Sequence, residues 1–256
     1  MPHKPMSEES KQKWKDTFAE YSRTLKTYTT MSALHTLAQY WVENEFIIEQ
    51  AAKNEVDLNG PKWRPARDDQ DEISEYIMEQ DLARYLHDNT LIPIHRYSSI
   101  VMLCTTVERE LVRLTENLQK ELGPQKLNWQ DINNNSTTGK IIKFCEAFFS
   151  LRLVDCAQYV AVTELQKVRN CIVHNHGDVS LSDSEGKKTF LLNLGKKRRG
   201  FCVDSLNTIV IDEECIKQFI DEIWAFFVSV FNTLKWDIAS DWQGDKLEKA
   251  FKKLKT

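Results

Sequence analysis

The sequence predicts a mainly α protein: a helical bundle with an N-terminal helical extension and a small β-hairpin inserted before the last long helix. Three observations carry this reading. Only 8 Gly and 6 Pro occur among 256 residues, where average usage would give roughly 18 Gly, so turns are few and elements are long. Apolar residues recur at steps of three and four over several long segments, the period of an amphipathic helix. Between Gly177 and Asp212 that period disappears and strand-like runs replace it.

Ser7 followed by Glu8 and Glu9 opens the first helix, a capping hydroxyl ahead of acids at the positive end of the dipole. The pattern runs to about Val56, with a break suggested at Thr29-Thr30; Leu34, Leu37, Ala38, Trp41, Val42, Phe46 and Ile47 form its apolar face. Asn59-Gly60-Pro61 ends it, and Pro65 keeps the next few residues out of helix. A second helix is expected over 68–88, with Ile73, Ile77 and Leu82 inward and Pro93 closing it. Ile100, Cys104, Val107, Leu111, Leu114 and Leu118 mark the first core helix, stopped by Gly123-Pro124. After the loop Asn133 to Ser136, Thr137 or Thr138 should cap a helix over 139–150, and another follows over 155–172. Residues 189–194 and 201–203 read as a hairpin and 208–211 as a further strand. The last long helix runs from about Glu213 to Lys235 on Ile216, Ile220, Ile223, Phe227, Val230 and Leu234. The expected divisions are an N-terminal section of residues 1–92, a bundle over 93–238 and a short basic tail helix over 239–256.

Hydrophobic residues make up 41% and charged residues 28% of the chain, a globular composition. The 34 Lys and Arg against 38 Asp and Glu leave a formal charge of −4. The whole molecule is therefore no general polyanion binder, and nucleic-acid contact must rest on a local patch. The six cysteines contain no C-x-x-C pair, and the start of the chain lacks an apolar leader-like run. A reducing, cytoplasmic setting is the expectation. The densest apolar stretch, Ile223 to Phe231, is too short to span a bilayer, so no membrane partner is expected.

Chemistry concentrates in Val168-Arg169-Asn170-Cys171-Ile172-Val173-His174-Asn175-His176-Gly177. Leu165, Val168 and Ile172 point to the core, while Asn175 and Gly177 suit a helix end. Histidine exchanges a proton near neutrality, and arginine fits phosphate oxygens in a bidentate way. Asparagine can hold an oxygen or orient the ring. No acid-rich cluster lies alongside, and Cys171, His174 and His176 have poor spacing for zinc, so neither a metal nor a cofactor is expected. Imidazole and guanidinium together suit transesterification at an RNA phosphate, the base taking the 2′-hydroxyl proton and the cation stabilising developing charge. On an unbroken helix, however, Arg169 and His174 stand about 140° apart. They converge only if the helix ends near His174 or a second copy faces them.

Arg169-Asn170-x-x-x-His174 resembles the R-x4-6-H motif of the HEPN superfamily, with its polar residue directly after the arginine. The resemblance covers roughly residues 93–236. It implies a helical bundle with the motif at the end of the penultimate long helix, and a metal-independent endoribonuclease acting as a toxin or antiphage-defence effector. It further implies a homodimer with two motifs across one cleft, cleaving single-stranded RNA such as tRNA or mRNA, under control of an antitoxin or other regulatory partner. Arg169 and His174 become the catalytic pair, Asn170 their helper, and Glu108 an acidic partner for Arg169. His176 stands where members silenced by adenylylation carry a tyrosine. Some members only bind RNA or nucleotides, or mediate dimerisation, which is the alternative reading.

Lys187, Lys188, Lys196, Lys197, Arg198 and Arg199 place six positive charges between Gly186 and Val203 with no acid among them. Lys196, Lys197, Arg198 and Arg199 are the expected RNA-contacting set. The acidic second half of residues 1–92 suggests a regulatory section that shields the cleft or binds an inhibitor.

Overall fold

A computed structural model describes residues 8–58, 70–122, 128–134, 136–236 and 238. Helices α1 (Glu8–Leu58) and α2 (Gln70–Leu86) come first, and a five-residue π-helical turn, His87–Leu91, leads straight into α3 (Ile92–Leu122). Helices α4 (Thr137–Phe149), α5 (Tyr159–Asn175) and α6 (Glu185–Lys197) follow, preceded by short 3₁₀ turns at 129–131, 153–155 and 179–181. Strands β1 (Phe201–Val203) and β2 (Ile209–Ile211) form an antiparallel ribbon, and α7 (Glu213–Thr233) closes the described chain. The fold is the mainly α bundle expected, with one hairpin before the last long helix.

The described residues form two compact units. One holds residues 8–36, 106–161 and 222–238; the other holds 37–105 and 162–221. Each takes residues from both sides of position 92.

In the first unit the second half of α3 buries Val107, Leu111, Leu114 and Leu118, and the second half of α7 buries Ile223, Phe226, Phe227, Val230 and Phe231. Burying each such side chain contributes about 1.5–3 kcal/mol. Phe226 meets Phe227 edge-on with ring centroids 5.2 Å apart, and Phe231 stacks on Trp236 at 6.0 Å. Glu110 is fully buried here, accepting from Arg113 at 2.9 Å and from the Thr30 hydroxyl at 2.9 Å.

In the second unit the core is Ala38, Trp41, Ile100, Leu103, Leu165, Val168, Ile172, Leu191, Leu194, Phe201, Ile209, Ile211, Ile216, Phe219 and Ile220, among others. Glu45 is also buried, receiving Arg96 Nε at 3.3 Å with His95 Nε2 at 3.6 Å.

Several expectations are corrected. Helix α1 is unbroken at Thr29-Thr30, because the Thr29 hydroxyl donates to the Lys26 carbonyl at 2.8 Å and Thr30 turns to Glu110; satisfied hydroxyls no longer compete with the helix. Pro93 does not close α2. It is the second residue of α3, just after the π-helical turn His87–Leu91, so the helical run passes through a residue with no N–H to donate. Phe46 and Ile47 are exposed, because the inward stripe 34, 38, 41 continues to Glu45 and leaves them off it. Ile77 and Leu82 are also exposed; the five-residue step between them turns Leu82 about 140° from Ile77. The cap of α4 is Ser136, whose hydroxyl accepts from Gly139 N–H at 3.0 Å. Residues 189–194 are helix α6, and β1 pairs instead with β2. The stops at Asn59-Gly60-Pro61, Pro65 and Gly123-Pro124 and the tail helix over 239–256 lie outside the described residues.

Among the described residues, no helix is long and apolar enough to cross a membrane. The side chains of Cys104, Cys145, Cys156, Cys171 and Cys215 are buried, and Cys202 is exposed.

Candidate functional site

Helix α5 is organised by two opposed stripes. Leu165, Val168 and Ile172 are buried at steps of three and four. Lys167, Asn170 and His174 follow the same steps two positions later, and all three are exposed. Two residues of an α-helix amount to about 200°, so the polar stripe faces directly away from the core. Arg169 falls between, nearer the core stripe, and is half-buried.

The helix stops at Asn175 because the chain turns left-handed at His176 (φ 55°) and Gly177 (φ 83°). Gly177 N–H reaches back to the Cys171 carbonyl at 3.2 Å, and its own carbonyl accepts from Ile209 N–H at 2.9 Å. Only glycine fits, since a Cβ there would strike the Tyr97 hydroxyl. That hydroxyl donates to the Ile209 carbonyl at 2.5 Å. Burial, with smaller contributions from Cys171 and Asp204, pushes the Tyr97 phenol up to about 12. The end of α5 is thus tied to β2 by backbone and side chain together.

The opposite wall comes from the turn after α5 and from α6. Asp178 caps the 3₁₀ turn by accepting from Ser180 N–H at 2.7 Å, and the Ser180 hydroxyl at 2.6 Å, helped by that N–H, holds its carboxyl below the usual range. Ser184 caps α6, and Lys187 donates to Asp183 at 2.8 Å. That bond holds Asp183 below the usual carboxylate range as well. Lys167 lies with its ammonium 3.6 Å from the centroid of the Phe190 ring.

Between these walls is an open pocket of about 320 Å³, lined by Lys167, Asn170 and His174 from α5 and by Asp183, Lys187 and Phe190 opposite, among others. Cys171 also borders it. Burial first, then Asp178, pushes its thiol up, against hydrogen bonds from Ser182 and Asn175. A thiol held protonated is a poor nucleophile. Among the described residues no three His, Cys, Asp or Glu side chains gather as a metal ion requires.

The structure therefore brings two of the three expected catalytic residues, Asn170 and His174, to one pocket wall. Arg169 is not on that wall and connects to it through Asn170, whose Oδ1 accepts from Arg169 Nη1 at 3.0 Å. Of the expected RNA-contacting set, Lys196, Lys197 and Arg199 are exposed. Arg198 is not. It is buried, donates to Glu164 Oε2 at 2.5 Å, and stacks 3.8 Å from the Phe219 ring centroid. A guanidinium committed to a carboxylate and a ring within the fold is not offered to an RNA strand. Lys167 and Phe190 were not singled out from the sequence, and Lys187 entered only as one cation of the basic run. The signal was present for Lys167 in the 167-170-174 spacing, set two positions from the core stripe.

No protein-family model, curated protein or solved structure matches the chain.

Proposed function

We propose that the protein is a metal-independent endoribonuclease of the HEPN kind, cleaving single-stranded RNA at the end of α5. The observation that carries the reading is the pairing of His174 with Asn170 on the wall of an open pocket that also presents Lys167. His174 removes the ribose 2′-hydroxyl proton. The 2′-oxygen attacks phosphorus, the bond from phosphorus to the 5′-oxygen breaks, and the His174 imidazolium passes its proton to that leaving oxygen. The products are a 2′,3′-cyclic phosphate and a 5′-hydroxyl. Arg169 supplies positive charge to the transition state, and Asn170 links it to the pocket.

Arg169 and His174 stand about 140° apart on one helix, so full use of both calls for a homodimer in which two copies of the motif face one cleft. The exposed Lys196, Lys197 and Arg199, at the far end of α6 from Lys187, extend the basic surface. Residues 187–196 advance about 14 Å along the helix, enough for more than one nucleotide of an RNA strand. In this reading the protein acts in the cytoplasm as a toxin or defence effector, restrained by an antitoxin or regulatory partner.

The test is incubation of purified protein with a mixed RNA pool and mapping of the cut ends. His174→Ala and Arg169→Ala should each lower cleavage by about 10²–10⁴ with little change in melting temperature, and chelator should have no effect. Cleavage that survives both substitutions, or that stops in chelator, refutes the proposal. The half-buried position of Arg169, off the pocket wall, favours a second reading as an RNA- or nucleotide-binding module. RNA retained in a gel by wild-type protein but never cut would select that reading.

A further inference from the structure

We infer that Lys167 is the phosphate-holding residue of the pocket, and that the stripe Lys167, Asn170 and His174 forms, within one chain, a subsite for a nucleotide phosphate of RNA. This deepens the ribonuclease reading by assigning the ground-state phosphate contact to a lysine and not to Arg169.

Three observations on the page carry it. Lys167, Asn170 and His174 occupy one face of α5 and line the same pocket, opposite the buried stripe. Lys167 is held by the Phe190 ring at 3.6 Å, and no carboxylate pairs with it among the described residues. A cation positioned by a ring keeps its charge and its N–H donors for an incoming anion. Lys187, across the pocket, is already matched by Asp183 at 2.8 Å, so that side carries little net charge and Asp183 does not oppose the subsite. Asn170 can donate through its amide nitrogen while its oxygen accepts from Arg169. A cavity of about 320 Å³ lies at the small end of ligand pockets, roughly 300–1,000 Å³, and suits one nucleotide.

The experiment is calorimetric titration of the full-length protein with adenosine 3′-monophosphate, with adenosine and with inorganic phosphate, at low and moderate salt. Lys167→Met keeps the stem beside Phe190 and removes the charge. It should weaken nucleotide binding roughly ten- to a hundredfold, and Lys167→Arg should restore most of it. Lys187→Met, whose charge Asp183 offsets, should cost less than about threefold. Adenosine should bind at least about tenfold more weakly than the nucleotide. Unchanged affinity in Lys167→Met, equal losses for the two lysines, or equal binding of adenosine and nucleotide would each overturn the inference. Inorganic phosphate binding as tightly as the nucleotide would make this a free-phosphate site and overturn the RNA assignment. Lys167-dependent binding without any RNA cleavage would refute the ribonuclease and leave the subsite standing. Cleavage with nucleotide affinity indifferent to Lys167 would refute the subsite alone.

Discussion

Replacing Gly177 by alanine attacks the point where α5 ends and the pocket begins. Gly177 has φ 83°, and an L-residue in that region costs about 1–2 kcal/mol. The added methyl also meets the Tyr97 hydroxyl, which must move and release the Ile209 carbonyl it serves. An unmet partly buried acceptor costs about 1–3 kcal/mol. The sum is about 2–5 kcal/mol. Gly186→Ala is the internal control. Nothing lies within 4 Å of a Cβ built there, and it sits in α6, so alanine should stabilise by about 0.4–1 kcal/mol. Urea unfolding of both variants, compared at equal m-value, reads the difference. If Gly177→Ala loses less than about 1 kcal/mol, the left-handed turn and the Tyr97 contact do not fix the end of α5 as argued.

Other outcomes follow from the same geometry. Ser136→Ala should cost about 1 kcal/mol, and Thr137→Ala much less, because Ser136 alone caps α4; equal losses in chemical denaturation would contradict this. Arg198→Ala should destabilise by about 2–4 kcal/mol by stranding Glu164. The Lys196→Ala, Lys197→Ala double variant should leave the melting temperature alone and lower the salt slope of single-stranded RNA binding by about 1.4. A stable Arg198→Ala with weakened RNA binding would reverse those assignments. Burial lowers the pKa of His95 below its ordinary 6.5; Glu45 acts against this and Arg96 with it. The unfolded chain therefore takes up this proton first as pH falls. The contribution to stability is whole above about pH 6.5 and is lost as pH drops from there toward the folded value. His95→Gln should flatten that part of the stability curve, and an unchanged curve would remove His95 as its source.

The sequence exposed the core helices well because their partners impose one period along their whole length. All six residues of the α3 stripe are buried, and so are Ile216, Ile220, Ile223, Phe227 and Val230 of α7. It misled where local chemistry has two outlets. Thr189 to Leu194 looks strand-like from its β-branched and aromatic start, yet Ser184 caps the segment as a helix and the buried pair is Leu191 with Leu194, three apart. A strand would have buried alternate residues. The site was half legible. Asn170 and His174 were visible as a motif, while the wall opposite them comes from a helix read as a strand, so Lys187 and Phe190 were not placed beside it. Arg198 looked like one more cation of a basic run, since nothing in sequence ties it to Glu164, thirty-four residues earlier.

The two-stranded ribbon has a consequence for how copies of the chain can meet. Three outward groups of β2 are already engaged: Ile209 N–H with the Gly177 carbonyl, the Ile209 carbonyl with Tyr97, and the Ile211 carbonyl with Arg96 at 3.2 Å. An exposed strand edge would invite extension by a neighbour's strand. Here most of that seam is closed from within, so self-association through β2 would first have to unpick bonds that also hold the tip of α5.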